Sequence, residues 1–128
     1  MLHIRKEQME VLDGIFFNRF KAELKTYLQS KYQPQLGQMS QEALQAFVEK
    51  GIEKAFGYGI KIEADVTAFL ERLIRYGAEM DNDPAQPWIG QLLNDPQMPG
   101  PHKMGAFEQI ELETELKREH AAAGKTAA

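Results

Sequence analysis

Apolar residues recur along the chain in steps of three and four, the spacing at which one face of an α-helix repeats. Between Lys6 and about Lys31 they fall at Met9, Leu12, Phe16, Phe20, Leu24, Tyr27 and Leu28, which predicts one long amphipathic helix. Gln33, Pro34 and Gly37 end it, because proline lacks an N–H and restricts the residue before it. Ser40 opens a second helix, its hydroxyl suited to accept an orphan N–H of the first turn. Leu44, Phe47, Val48, Gly51, Ile52 and Ala55 form its apolar stripe. It stops at Phe56-Gly57-Tyr58-Gly59, where glycine takes the left-handed conformation that closes helices. Residues 60–62, Ile-Lys-Ile, read as extended but are too few for a sheet.

A third helix is expected from about Glu63 to Met80, with Val66, Phe69, Leu70, Leu73, Ile74 and Gly77 facing inward. Glu63 and Asp65 stand in its first turn, where the helix dipole favours negative charge. Next comes MDNDPAQPWIGQLLND, residues 80–95. Pro84 suits a first helical position with Asp83 as its cap, and Trp88, Ile89, Leu92 and Leu93 make a short apolar patch. Pro96, Pro99, Gly100 and Pro101 form a loop. A last helix spans about His102–His120 with a poor pattern, Phe107 and Ile110 on one side and Leu112 and Leu116 on another. Strand signals are essentially absent. The expectation is an all-α fold, a compact bundle of four to five helices in one domain over residues 1–120, followed by a disordered tail at 121–128.

The totals narrow the function classes. With 128 residues the chain is one domain by length. Apolar residues make up 43% and charged residues 27%, with a net charge of −4 and both signs interspersed. That balance offers no extended positive field, so nucleic acid is not an expected partner. There are no cysteines, which removes thiolate metal sites, disulfides and cysteine nucleophiles. The opening MLHIRKEQ has no apolar core of signal-peptide length, and no run approaches the ~18–20 apolar residues of a membrane span. The expected location is the cytoplasm.

Candidate chemistry is sparse. Read as a calcium loop of the EF-hand type starting at Asp81, position 5 is Ala85, position 6 is Gln86 and position 12 is Leu92, where an oxygen ligand, a glycine and a glutamate are needed. The acidic stretch therefore reads as turn and cap, and no metal is expected. Trp88, flanked by Pro87 and Ile89, reads as a core plug. His3, His102 and His120 lack a second histidine at helical ligand spacing, and no serine sits in a nucleophile-elbow pattern. Neither a catalytic set nor a cofactor is expected. Asp13 points into the apolar face of the first helix, and a buried carboxylate needs a partner, for which Arg72 or Arg75 is the expected candidate.

Several stretches together resemble a known group. IRKEQME, GIEKAFGYGIKIEADVTAFL, RYGAEMDNDP and PWIGQLLND are similar to segments of small helical accessory proteins encoded beside type VI secretion spike and effector genes in Gram-negative bacteria. The resemblance covers roughly residues 4–110, and its positions fall on Gly51, Tyr58, Gly59, Asp65, Trp88 and Asp95. It carries no catalytic residues. It implies a cytoplasmic adaptor or chaperone for a secreted effector or spike component, or alternatively an immunity protein against a toxin. A small enzyme using Asp81 and Asp83 is the third reading.

Partner-binding candidates come from apolar residues that one bundle need not bury. Val11 and Ile15, with Ala22, form a second strip on the first helix. Phe107, Ile110, Leu112 and Leu116 form another near the C-terminus. Exposed apolar patches mark partner surfaces, here for the effector or for a homodimer. The alternative is that the strips pack within the monomer.

Overall fold

The computed structural model describes the backbone of residues 14–126 and the side chains of 17–120. Among them the chain is all-α, as expected, and carries no strand. Six helices follow in order: α1 (Gly14–Lys31), α2 (Gln33–Leu36), α3 (Gln41–Gly57), α4 (Glu63–Tyr76), α5 (Pro87–Leu93) and α6 (Gly100–Thr126), with a 3-10 turn at Met80–Asn82 before α5. Helix α6 runs to Thr126, into the stretch 121–128 that the sequence reading set apart as a tail.

Local chemistry explains most boundaries. Ser40 caps α3 as expected, its hydroxyl accepting the Ala43 N–H at 3.0 Å. The break at Gln33–Gly37 is itself a turn of helix, with Pro34 in its first turn and Leu36 buried. The third helix ends earlier than Met80. Gly77, expected on its inner face, instead closes it with φ of 104°, in the region open to glycine. The next correction is at the proline loop. Pro84 does not begin a helix; Asp83 accepts the Ala85 N–H at 2.9 Å in a local turn, and Pro87 takes the first helical position.

One core joins all six helices. Phe20, Leu24 and Leu28 of α1, Leu44, Val48 and Ile52 of α3, and Val66, Phe69, Leu70 and Leu73 of α4 are buried together. Ile89 and Leu93 of α5 and Met104 and Phe107 of α6 complete it. Ile60 of the extended connection is fully buried, its N–H donating to the Ala55 carbonyl at 2.9 Å. Trp88 lies partly buried at the core edge, its ring edge-on to Phe107 at 5.0 Å and to Tyr76 at 6.2 Å.

Two glycines are required by close backbone approach. A Cβ on Gly100 would run into the Gly59 carbonyl oxygen, and one on Gly90 into the Asp81 carbonyl oxygen. These contacts let the start of α6 sit on the end of α3, and α5 on the 3-10 turn.

Candidate functional site

Phe20, Leu24 and Tyr27 stand on α1 at i, i+4 and i+7, so they share one face of the helix. Opposite them, α4 begins with small side chains, Ala64 and, one turn on, Thr67. Small residues against large ones leave a cleft of about 330 Å³ between the two helices, with Glu23 and Glu63 also in its lining. Phe20 and Leu24 form a buried floor, Tyr27 is 41% exposed, and Ala64 lies open at the surface. Thr67 does not present a free hydroxyl, because it donates to the Glu63 carbonyl at 2.9 Å. The cleft is therefore mainly apolar, and the Glu23 carboxylate on its α1 wall is already engaged by Arg19 at 3.3 Å.

Tyr27 belongs to a second arrangement. All four tyrosines of the chain donate to one of three carboxylates, each of which also receives a cation. Glu71 of α4 accepts from Lys31 at 2.7 Å, Tyr32 at 2.7 Å and Tyr27 at 3.3 Å. Glu111 of α6 accepts from Arg72 at 2.7 Å, Arg75 at 3.2 Å and Tyr76 at 2.7 Å. Asp81 accepts from Lys54 at 2.8 Å and Tyr58 at 2.5 Å. Each set joins segments distant in sequence, so the carboxylates act as clasps between elements.

Burial pushes the Asp81 carboxyl upward, but hydrogen bonds from Lys54 and Tyr58 outweigh it and hold the group below its ordinary value. Glu71 is lowered in the same way, burial being overcome by Lys31 and Tyr32. Tyr58 is pushed up to about 12, by burial first and then by the Asp81 carboxylate. The Asp81 side chain is only 5% exposed and both its oxygens are engaged. That chemistry suits a structural pair. Asp83 shares none of these partners and closes its own turn with Ala85 and Gln86. The cap expected of this stretch is thus half right: Asp83 makes a turn, whereas Asp81 ties the turn to α3.

Lys103 is buried, 8% exposed. Its ammonium donates to the Tyr58 carbonyl at 2.8 Å and the Leu93 carbonyl at 2.6 Å. These are carbonyls at the C-terminal ends of α3 and α5, where the helix dipole favours a cation. Lys103 therefore fastens α6 to two helix ends at once.

The expected partner residues separate. Val11 and Asp13 lie outside the described residues, as does the side chain of Ile15 in the first turn of α1. Arg72 and Arg75, expected for Asp13, are both engaged by Glu111. Phe107 is fully buried and Ile110 packs against the core. Both lie on the same side of α6 as Met104, in line with the alternative of packing within the monomer, with Ile110 only partly buried. Leu112 and Leu116 remain exposed, at 49% and 59%. Ala22 is exposed as well.

No protein-family model, no characterised protein and no solved structure matches the chain. The α1–α4 cleft was not legible beforehand. Phe20 and Leu24 read from the sequence as ordinary core positions, and only the small residues facing them from α4 leave the space. Ala64 and Thr67 at i and i+3, in a helix otherwise lined with large apolar residues, are the signal that was present.

Proposed function

We propose that this protein is a non-enzymatic binding accessory that holds an apolar helical segment of another protein in the α1–α4 cleft. The cleft carries the reading. An amphipathic helix docks by inserting apolar anchors at helical spacing into such a groove, and about 330 Å³ accommodates one or two large side chains. The setting follows from the resemblance to type VI secretion accessory proteins: the partner is a secreted effector or spike component, and the role is that of an adaptor or chaperone.

Co-expression with the effector encoded beside the gene tests the reading. The expected result is co-purification and improved effector solubility or secretion. Ala64→Arg places a long cation in the cleft at an exposed helical position that tolerates arginine. It is expected to fold and melt as the parent does and to lose the effector. Undiminished binding by Ala64→Arg overturns the cleft as the docking site. Rescue from toxicity without any gain in solubility or secretion replaces the adaptor role with immunity.

A further inference from the structure

Tyr27 belongs both to the α1–α4 cleft and to the Glu71 clasp, and the two roles meet at one end of the cleft. On α1 the lining runs from Phe20 to Tyr27, about 10 Å at 1.5 Å per residue. On α4 it stops at Thr67, and Glu71 stands one turn further on. The Tyr27 hydroxyl donates to Glu71 at 3.3 Å. Its side chain therefore reaches from α1 to α4 at the place where the lining ends on both helices.

Glu71 is a fixed point for that reach. Its side chain is 13% exposed, and Lys31 and Tyr32 each donate to it at 2.7 Å. Lys31 also donates to the Tyr27 hydroxyl at 3.0 Å, so the phenol oxygen is gripped twice. The grip matters because a half-exposed tyrosine on a helix has more than one rotamer open to it. With its proton given to Glu71, Tyr27 contributes ring surface to the cleft. Neither Glu71 nor Lys31 is part of the lining itself.

We propose that Tyr27, held across the cleft by Glu71, is its end wall and sets how long an apolar anchor the cleft accepts. The wall rests on the reading of the cleft as a docking site and narrows the partner further. A helical segment whose apolar anchor fits between Phe20 and Tyr27 is taken. A longer anchor meets the ring and is refused, a steric element that works against wrong partners. Glu71 and Lys31 act through Tyr27 and are positioning residues.

Straight-chain alcohols of increasing length measure the wall. The full chain is titrated with n-hexanol, n-octanol and n-decanol, and affinity is read from the NMR methyl signals of Leu24, Ala64 and Thr67 in the lining. Each CH₂ that enters the cleft is expected to tighten binding by up to about fourfold. In the parent the gain is expected to level off within the series. In Tyr27→Ala the space vacated by the ring joins the cleft, so the levelling moves to a longer alcohol. n-Decanol is then expected to bind about tenfold more tightly than to the parent. Tyr27→Phe keeps the ring but frees it from Glu71, and its profile is expected to fall between the two.

A Tyr27→Ala profile that levels off at the same alcohol as the parent overturns the wall and leaves the cleft standing. Tyr27→Leu, which shortens the wall but keeps apolar cover, decides the same point if Tyr27→Ala fails to fold. A Tyr27→Phe profile identical to that of the parent overturns the hold by Glu71. Alcohols that move none of the three methyl signals, or that bind Ala64→Arg as well as the parent, overturn the cleft itself and the wall with it.

Discussion

From Gly100 to Glu111, helix α6 lies against α4 and α5; from Leu112 to His120 the same helix has every side chain exposed. The outer half is the richer in charge, with Glu113, Glu115, Lys117, Arg118 and Glu119 against Lys103, Glu108 and Glu111, but both carry large apolar residues. What separates them is direction. Met104, Phe107 and Ile110 recur on the side where α4 and α5 supply apolar neighbours, whereas Leu112 and Leu116 turn to the opposite side. A helix is held by the face it buries more than by its own propensity. The inner half is thus fixed by Phe107 against Trp88 and Tyr76 and by Lys103 between two helix ends. The outer half persists as a continuation of that anchored helix.

The largest test of this contrast is Phe107→Ala. Removing a fully buried ring is expected to destabilise the protein by about 3–5 kcal/mol in a urea titration. A loss under about 1 kcal/mol would mean that α6 is not part of the core.

Lys103→Ala comes next. It deletes the donor shared by the Tyr58 and Leu93 carbonyls and is expected to cost about 1–3 kcal/mol, the penalty for buried polar groups left without a partner. Lys103→Met keeps the aliphatic bulk but restores no hydrogen bond. If it matches the parent in chemical denaturation, packing and not the ammonium holds α6 in place.

The clasps make the core side pH-sensitive in a definite direction. Asp81 and Glu71 are both lowered in the folded chain. Their contribution is fully present above the unfolded values, about 3.9 for Asp and about 4.3 for Glu. It is lost as pH falls through the lower folded values. Asp81→Asn with Glu71→Gln is therefore expected to reduce stability at neutral pH and to flatten its decline below about pH 4. Parallel pH profiles for parent and variant would show that the two carboxylates add nothing to that slope.

The smallest effect belongs to the outer half. Leu112→Ala is expected to change stability by no more than about 0.5 kcal/mol, as for exposed positions generally. A loss as large as that of Phe107→Ala would erase the distinction between the two halves.

Much of this was legible in the residues. The stripes at Leu44, Val48 and Ile52 and at Val66, Phe69, Leu70 and Leu73 specify buried helix faces, because a 3.6-residue repeat needs no knowledge of the neighbour that covers it. Ser40 and the glycines after α3 gave their boundaries for the same reason, since capping is settled within a few residues. The pairings could not be read this way. Asp81 belongs with Lys54 and Tyr58, Glu111 with Arg72 and Tyr76, and Lys103 with the ends of α3 and α5, across separations that no local pattern encodes. Gly100 gave no sign that it had to be glycine until the Gly59 carbonyl was seen against it. The difference between Phe107 and Leu112 falls in the same class. Periodicity states that a helix has two apolar sides; which side is covered depends on where the other helices lie, and the long-range packing of the whole chain sets that.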